Sequence, residues 1–64
     1  MWTTIYVATN IKFAKKIEKI LKEEGFLVKL KFYTIADNDS LYEVAVQEYE
    51  AIDAQNALIE RSIL

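Results

Sequence analysis

The sequence predicts an α+β fold in which two helices cover one side of a three-stranded sheet, with the element order β-α-β-β-α. Three observations support this prediction. Short segments in which apolar and polar residues alternate, as in strands, flank a segment whose apolar residues recur with the periodicity of a helix. The only glycine, Gly25, lies where that helix should end. The chain has 64 residues, 53% of them hydrophobic, which predicts a single small domain over residues 1–64.

The first strand is predicted over residues 2–8, which are rich in β-branched and aromatic side chains. Because side chains alternate between the two faces of a strand, Ile5 and Val7 should share one face. We expect these two residues to face the helices. The opposite face would carry Trp2, Thr4 and Tyr6.

The first helix is predicted over residues 10–24. Thr9 and Asn10 provide an N-cap, because their side-chain oxygens can accept a hydrogen bond from the first turn. Gly25 suits the position after the helix, where the backbone turns left-handed. One apolar arc of this helix contains Phe13, Ala14, Ile17, Ile20 and Leu21.

Two further strands and a second helix complete the chain. Residues 26–33 alternate, with Lys29 and Lys31 on the polar side, and residues 41–47 alternate again. The short polar residues at 37–40 predict a turn between these strands. The second helix should run over residues 48–64, with acidic residues in its first turn. The apolar sides of the two strands carry Phe26, Val28, Leu30 and Phe32, and Tyr42, Val44 and Val46.

The strand order follows from the connections. The crossover from the first strand through the helix to the second should be right-handed, and the third strand then fits between them, antiparallel to both. The resulting order 1-3-2 is the ferredoxin-like split β-α-β arrangement without its last strand. We expect both helices to cover the face that carries Ile5, Val7, Val28, Leu30, Val44 and Val46.

Three segments carry a resemblance to a known family. They are Trp-Thr-Thr-Ile-Tyr-Val-Ala-Thr-Asn at 2–10, Leu-Lys-Glu-Glu-Gly-Phe at 21–26, and Tyr-Glu-Val-Ala-Val at 42–46. Together they resemble small bacterial signal-transducing proteins of the DUF2007 type, short Firmicutes members of which are sometimes named glutamate decarboxylase. The resemblance implies a ferredoxin-like regulatory domain and supplies no catalytic motif. Members often have proline before the second helix, where this chain has Gln47.

Composition argues against most enzymatic chemistry. The chain has no histidine and no cysteine, the commonest acid–base and nucleophilic catalysts and the usual zinc ligands. A decarboxylase would need a pyridoxal-phosphate pocket, which a chain of this length cannot enclose. The acidic residues at 37–40 lack the glycine of a calcium-binding loop, and turn formation explains them. We therefore predict a non-enzymatic, cytoplasmic domain without cofactor, metal or membrane segment.

Charge is divided unevenly along the chain. Residues 1–32 have a net charge of +4, and residues 33–64 have a net charge of −6. This division indicates either a basic binding face or two halves that attract each other within or between subunits. Five lysines fall within about 120° of the first helix's circumference. They are Lys12, Lys15, Lys16, Lys19 and Lys22.

This lysine face could bind an acidic protein or another anion, or it could simply be solvated. Aromatic residues and lysines on the open side of the sheet also resemble the layout of RNA-recognition domains. The central strand, however, would present Glu43 and Ala45 there, and neither side chain can stack on a base. We therefore do not expect nucleic acid to be the main partner.

Self-association is the leading expectation. Strand 2–8 would be an edge strand without charge or proline, and such edges tend to pair with other strands. The second helix has two apolar stripes, wider than one core contact usually requires, so the second stripe could serve a subunit interface or lie in the same small core. The candidate interface residues are Trp2, Thr4, Tyr6, Ile52, Ile59 and Ile63. The sequence thus predicts a homodimeric regulatory or protein-interaction domain, with an anion-binding or nucleic-acid-binding module using helix 10–24 as the alternative.

Overall fold

The computed structural model describes residues 1–36 and 39–64 and has the predicted fold class. The sheet is antiparallel, with the strand order β1-β3-β2, which confirms the ferredoxin-like layout. The elements, in chain order, are β1 (Trp2–Ala8), α1 (Ile11–Glu23), β2 (Val28–Ala36), β3 (Asp39–Gln47), a 3-10 turn (Glu48–Glu50) and α2 (Ala51–Glu60).

Both ends of α1 are capped as the sequence predicts. The Asn10 side-chain oxygen accepts a hydrogen bond from the backbone N–H of Phe13 at 2.8 Å. At the other end Gly25 has a φ of 95°, and the N–H of Phe26 donates to the carbonyl of Leu21 at 3.0 Å. This is the Schellman arrangement, in which a left-handed residue lets the chain turn back and satisfy the last carbonyls.

The second helix is shorter than the predicted range 48–64. Its first turn is 3-10, with the N–H of Glu48 bonded to the carbonyl of Met1 at 2.8 Å. It ends at Glu60, because Ser62 adopts a left-handed φ of 59° and the N–H of Ile63 donates to Leu58 at 2.9 Å. The chain therefore turns back after α2, and Ile63 packs against the core.

The face assignment within β1 is wrong for its second half. Thr4 lies opposite Ala45 but Tyr6 lies opposite Val44, so Ile5 is an extra residue in a β-bulge. A one-residue shift exchanges the faces of all following side chains. Tyr6 consequently turns toward α1, with its ring centroid 5.6 Å from that of Phe13. Val7 turns to the open side and is 46% exposed.

The β2-β3 hairpin is longer than predicted. β2 begins at residue 28 rather than 26 and extends to 36, while β3 begins at 39. Of the predicted turn 37–40, residues 39 and 40 belong to β3, and residues 37 and 38 lie outside the described residues. The last β1 pair is Ala8 with Tyr42, so the hairpin continues past β1. Phe32, opposite Tyr42 at the end of the three-stranded part of the sheet, is exposed although it lies on the predicted apolar side of its strand.

One hydrophobic core joins the helices to the sheet. Among the partly buried residues around it are Ile5, Phe13, Ile20, Val28 and Leu30, as the alternation and the helical arc predict. In the described residues neither helix is long and apolar enough to cross a bilayer. The buried members of the core are Ala8, Ala14, Ile17, Leu21, Val44, Val46, Ala54 and Leu58.

Candidate interaction surfaces

The lysine face lies on the outward side of α1, and its five lysines divide into two groups. Lys15 and Lys22 each lie 3.6 Å from a carboxylate oxygen of Glu18, whose side chain is only 16% exposed. The second group, Lys12, Lys16 and Lys19, is exposed and forms no ion pair within residues 1–36 and 39–64. Glu18 thus compensates the charge on only one side of the lysine face.

The side of the sheet away from the helices is partly closed by its own residues. The Nζ of Lys29, on β2, lies 5.7 Å from the centroid of the Trp2 ring, on β1. Because β3 separates these two strands, the contact must cross β3. Ala45 is the register partner of Lys29 and is fully buried, yet it does not belong to the main core. Trp2 therefore lies across the small Ala45 side chain, stabilised by a cation–π contact.

The other polar side chains on this open face lie around Glu43. The hydroxyl of Thr4 donates to Glu43 at 2.8 Å, and Lys31 lies opposite Glu43 in the β2-β3 register. Val7 and Tyr33 are exposed beside them. Glu43 and Ala45 occupy this face of the central strand, as the alternation predicts, so the open face combines polar side chains around Glu43 with separate apolar side chains.

The outer edge of β1 has no strand partner in the described part of the chain, since β1 pairs only with β3. The bulge at Ile5 interrupts the regular ladder in the middle of this strand. Bulges increase local twist and are one of the ways in which proteins discourage pairing between exposed edges. The edge of β1 is therefore less suited to pairing with another strand than its uncharged sequence indicates.

The outward side of α2 carries the most exposed apolar side chains of any helix face in the described residues. Ile52 is 74% exposed and Ile59 is 55% exposed. Tyr49, in the 3-10 turn one helical turn before Ile52, is 81% exposed and extends the same stripe. We call these three residues the α2 stripe. The sequence reasoning missed Tyr49, although its i, i+3 spacing from Ile52 is the signal that could have found it.

The other stripe of α2 faces inward. Ala54 and Leu58 are buried, and Ala51 packs against the core. Of the six predicted interface residues, Trp2, Thr4, Ile52 and Ile59 are exposed at the surface. Tyr6 and Ile63 are half-buried and pack against the core instead, because the bulge redirects the first and the turn at Ser62 redirects the second.

A cluster of charges that the sequence reasoning missed joins the ends of the two helices. The guanidinium of Arg61 donates to Glu24 at 2.6 Å and lies 3.9 Å from Glu23. These residues are far apart in sequence, and no local spacing predicts the contact. It fixes the C-terminal end of α2 against the end of α1, and it uses the only basic residue of the second helix region.

The described residues enclose no pocket, and they contain no group of three or more acidic residues placed to hold a metal ion. Comparisons with protein-family models, with curated proteins and with solved structures find no match, so the resemblance to DUF2007-type proteins remains a prediction.

Proposed function

We propose that this chain is a small regulatory domain that acts by protein–protein interaction and associates with itself. The observation that carries the proposal is the α2 stripe, in which Tyr49, Ile52 and Ile59 expose most of their surface on one side of a helix. Contiguous exposed apolar side chains of this kind are typical of interaction sites.

The balance between buried and exposed residues supports the same proposal. Only five large side chains are fully buried, whereas twelve large hydrophobic residues of the described chain are exposed. Small domains often gain stability by oligomerisation when disulfides and metal ions are absent, and this chain has no cysteine. Burial of the α2 stripe against a second copy would supply apolar area that the monomer lacks.

The test is sedimentation velocity across a range of about 1–500 µM, which covers weak as well as moderately tight self-association. We expect concentration-dependent dimerisation of the natural sequence and its loss in the Ile52→Lys/Ile59→Lys variant. The matched control is Val7→Lys/Tyr33→Lys, which changes two exposed apolar residues on the opposite side of the sheet. Circular dichroism should show all three proteins folded. A natural sequence that remains monomeric throughout would exclude the proposal.

Anion binding by α1 is the second candidate function. The specific observation in its favour is the exposure of Lys12, Lys16 and Lys19 without ion pairs in the described residues. Fluorescence anisotropy with a labelled oligonucleotide at low salt tests it, with Lys16→Glu/Lys19→Glu as the negative variant. Phosphate contacts would make the affinity fall steeply with salt. No binding even at low salt would exclude this function for nucleic acids.

A further inference from the structure

The outward surfaces of the two helices carry opposite charges at matching spacing. Lys12 and Lys19 are seven residues apart on α1, and Asp53 and Glu60 are seven residues apart on α2. Seven residues make about two turns and span about 10.5 Å, so the members of each pair lie one above the other on the same side of their helix. The two basic positions are therefore separated along α1 by the same axial distance as the two acidic positions along α2.

These four charges are also available to an outside partner. All four side chains are exposed, and none forms an ion pair in the described part of the chain. Lys15 and Lys22, by contrast, share Glu18, and Arg61 is held by the end of α1. The unpaired charges of each helix are complementary to those of the other helix, and a second copy of the chain presents both.

We infer that the partner is a second copy whose α2 lies against α1 of the first, so that Lys12 and Lys19 meet Asp53 and Glu60 of the second copy. A two-fold axis repeats the contact with the helices exchanged, which closes the assembly as a dimer. This inference rests on the proposed function and specifies which surfaces meet.

The apolar residues fit this arrangement. Ile52 and Ile59 share one side of α2, and Asp53 and Glu60 lie about 100° around the helix from them, at the border of the same exposed surface. The aliphatic stems of lysines can cover such side chains while their ammonium groups reach the acids. Pairing α2 with α2 would instead place these acids near their own copies, and like charges across an interface are strongly disfavoured.

The experiment uses two charge-reversed variants of the full chain. Lys12→Glu/Lys19→Glu and Asp53→Lys/Glu60→Lys should each weaken self-association by about tenfold or more, because each dimer would contain two repulsive contacts. An equimolar mixture of the two variants should form a heterodimer of near-natural affinity, since both contacts become attractive again. Sedimentation velocity and native mass spectrometry, which separates the two masses, measure both results.

A matched pair of neutral variants controls for loss of positive charge. Lys12→Ala/Lys19→Ala should weaken the dimer, whereas Lys15→Ala/Lys22→Ala, with the same spacing on the same helix, should leave it unchanged. If the natural chain dimerises through Ile52 and Ile59 but the mixed variants do not recover, the inference is wrong and the proposed function stands. A monomeric natural chain overturns both.

Discussion

The two helices bury similar inward faces, yet their outward faces have opposite character. α1 presents lysines to solvent, has a side-chain N-cap and ends at a glycine. α2 presents isoleucine and tyrosine to solvent, begins without a side-chain cap and is followed by a serine in the left-handed conformation. The difference indicates that α1 is completed by local signals, whereas α2 depends more on what packs around it.

The inward faces of the two helices should contribute equally to stability. Replacing a large buried residue of each face by alanine tests this and should give the largest effects. Leu21 on α1 and Leu58 on α2 are both fully buried. Leu21→Ala and Leu58→Ala should each lower the free energy of unfolding by about 2–5 kcal/mol, because each leaves a cavity in the core. Urea denaturation measures this. A loss below about 1 kcal/mol for Leu58→Ala alone would mean that α2 is only loosely attached.

The N-terminal ends of the two helices should respond differently when the residue that precedes each one is replaced by alanine. Asn10→Ala removes the hydrogen bond to Phe13 and should cost about 1 kcal/mol of unfolding free energy. Gln47→Ala, at the corresponding position before the 3-10 turn, should cost less, since its side chain makes no capping bond to the helix. Thermal denaturation followed by circular dichroism compares the two. Equal losses would show that the Asn10 cap contributes little.

At the C-terminal ends of the two helices, opposite substitutions should change the stability of the fold in opposite directions. Gly25 and Ser62 occupy the same left-handed position in two Schellman arrangements, and a side chain at such a φ is strained. Gly25→Ala should therefore destabilise the fold by about 1 kcal/mol, although no atom would contact the added methyl group. Ser62→Gly should stabilise it by up to about the same amount. Chemical denaturation at two salt concentrations distinguishes this backbone effect from electrostatics, because only the latter depends on salt.

The smallest expected effect concerns the contact that joins the two helices. Arg61→Ala removes the ion pairs with Glu23 and Glu24, all of them substantially exposed. Exposed pairs contribute at most about 1 kcal/mol, and solvent screening reduces that further. We expect a loss of a few tenths of a kcal/mol that disappears at high salt. A larger loss that persists in high salt would mean that the arginine stem, rather than its charge, packs against α1.

The parts of the fold that depend on local chemistry could be predicted from the sequence. Asn10 and Gly25 are residues whose side chains, or lack of one, define helix ends, and the alternation in β3 identifies its buried face. The bulge at Ile5 could not be predicted, because Tyr6 and Val7 suit either face of the strand and the pairing with β3 decides between them. Ser62 gave no signal either, since serine is common in helices, turns and coil alike.

The candidate surfaces, like the fold, combine features that the sequence predicts with features that it does not. The five lysines of α1 and the exposed isoleucines of α2 follow from helical periodicity, which depends only on residue spacing. Two of the lysines pair with Glu18, and Arg61 pairs with Glu24 at the end of α1. These contacts depend on side-chain positions that residue spacing alone does not determine. The distinction between paired and unpaired lysines, on which the dimer arrangement depends, therefore required three-dimensional geometry.

Because the strands differ in length, the backbone amides along β3 should be protected from hydrogen exchange to different degrees. Over residues 42–46, β3 is paired on both sides, whereas residues 39–41 pair only with β2. Deuterium should consequently enter the backbone at 39–41 and at its β2 partners through local opening, long before it enters Val44 and Val46. Exchange at those two valines would report global unfolding of the domain.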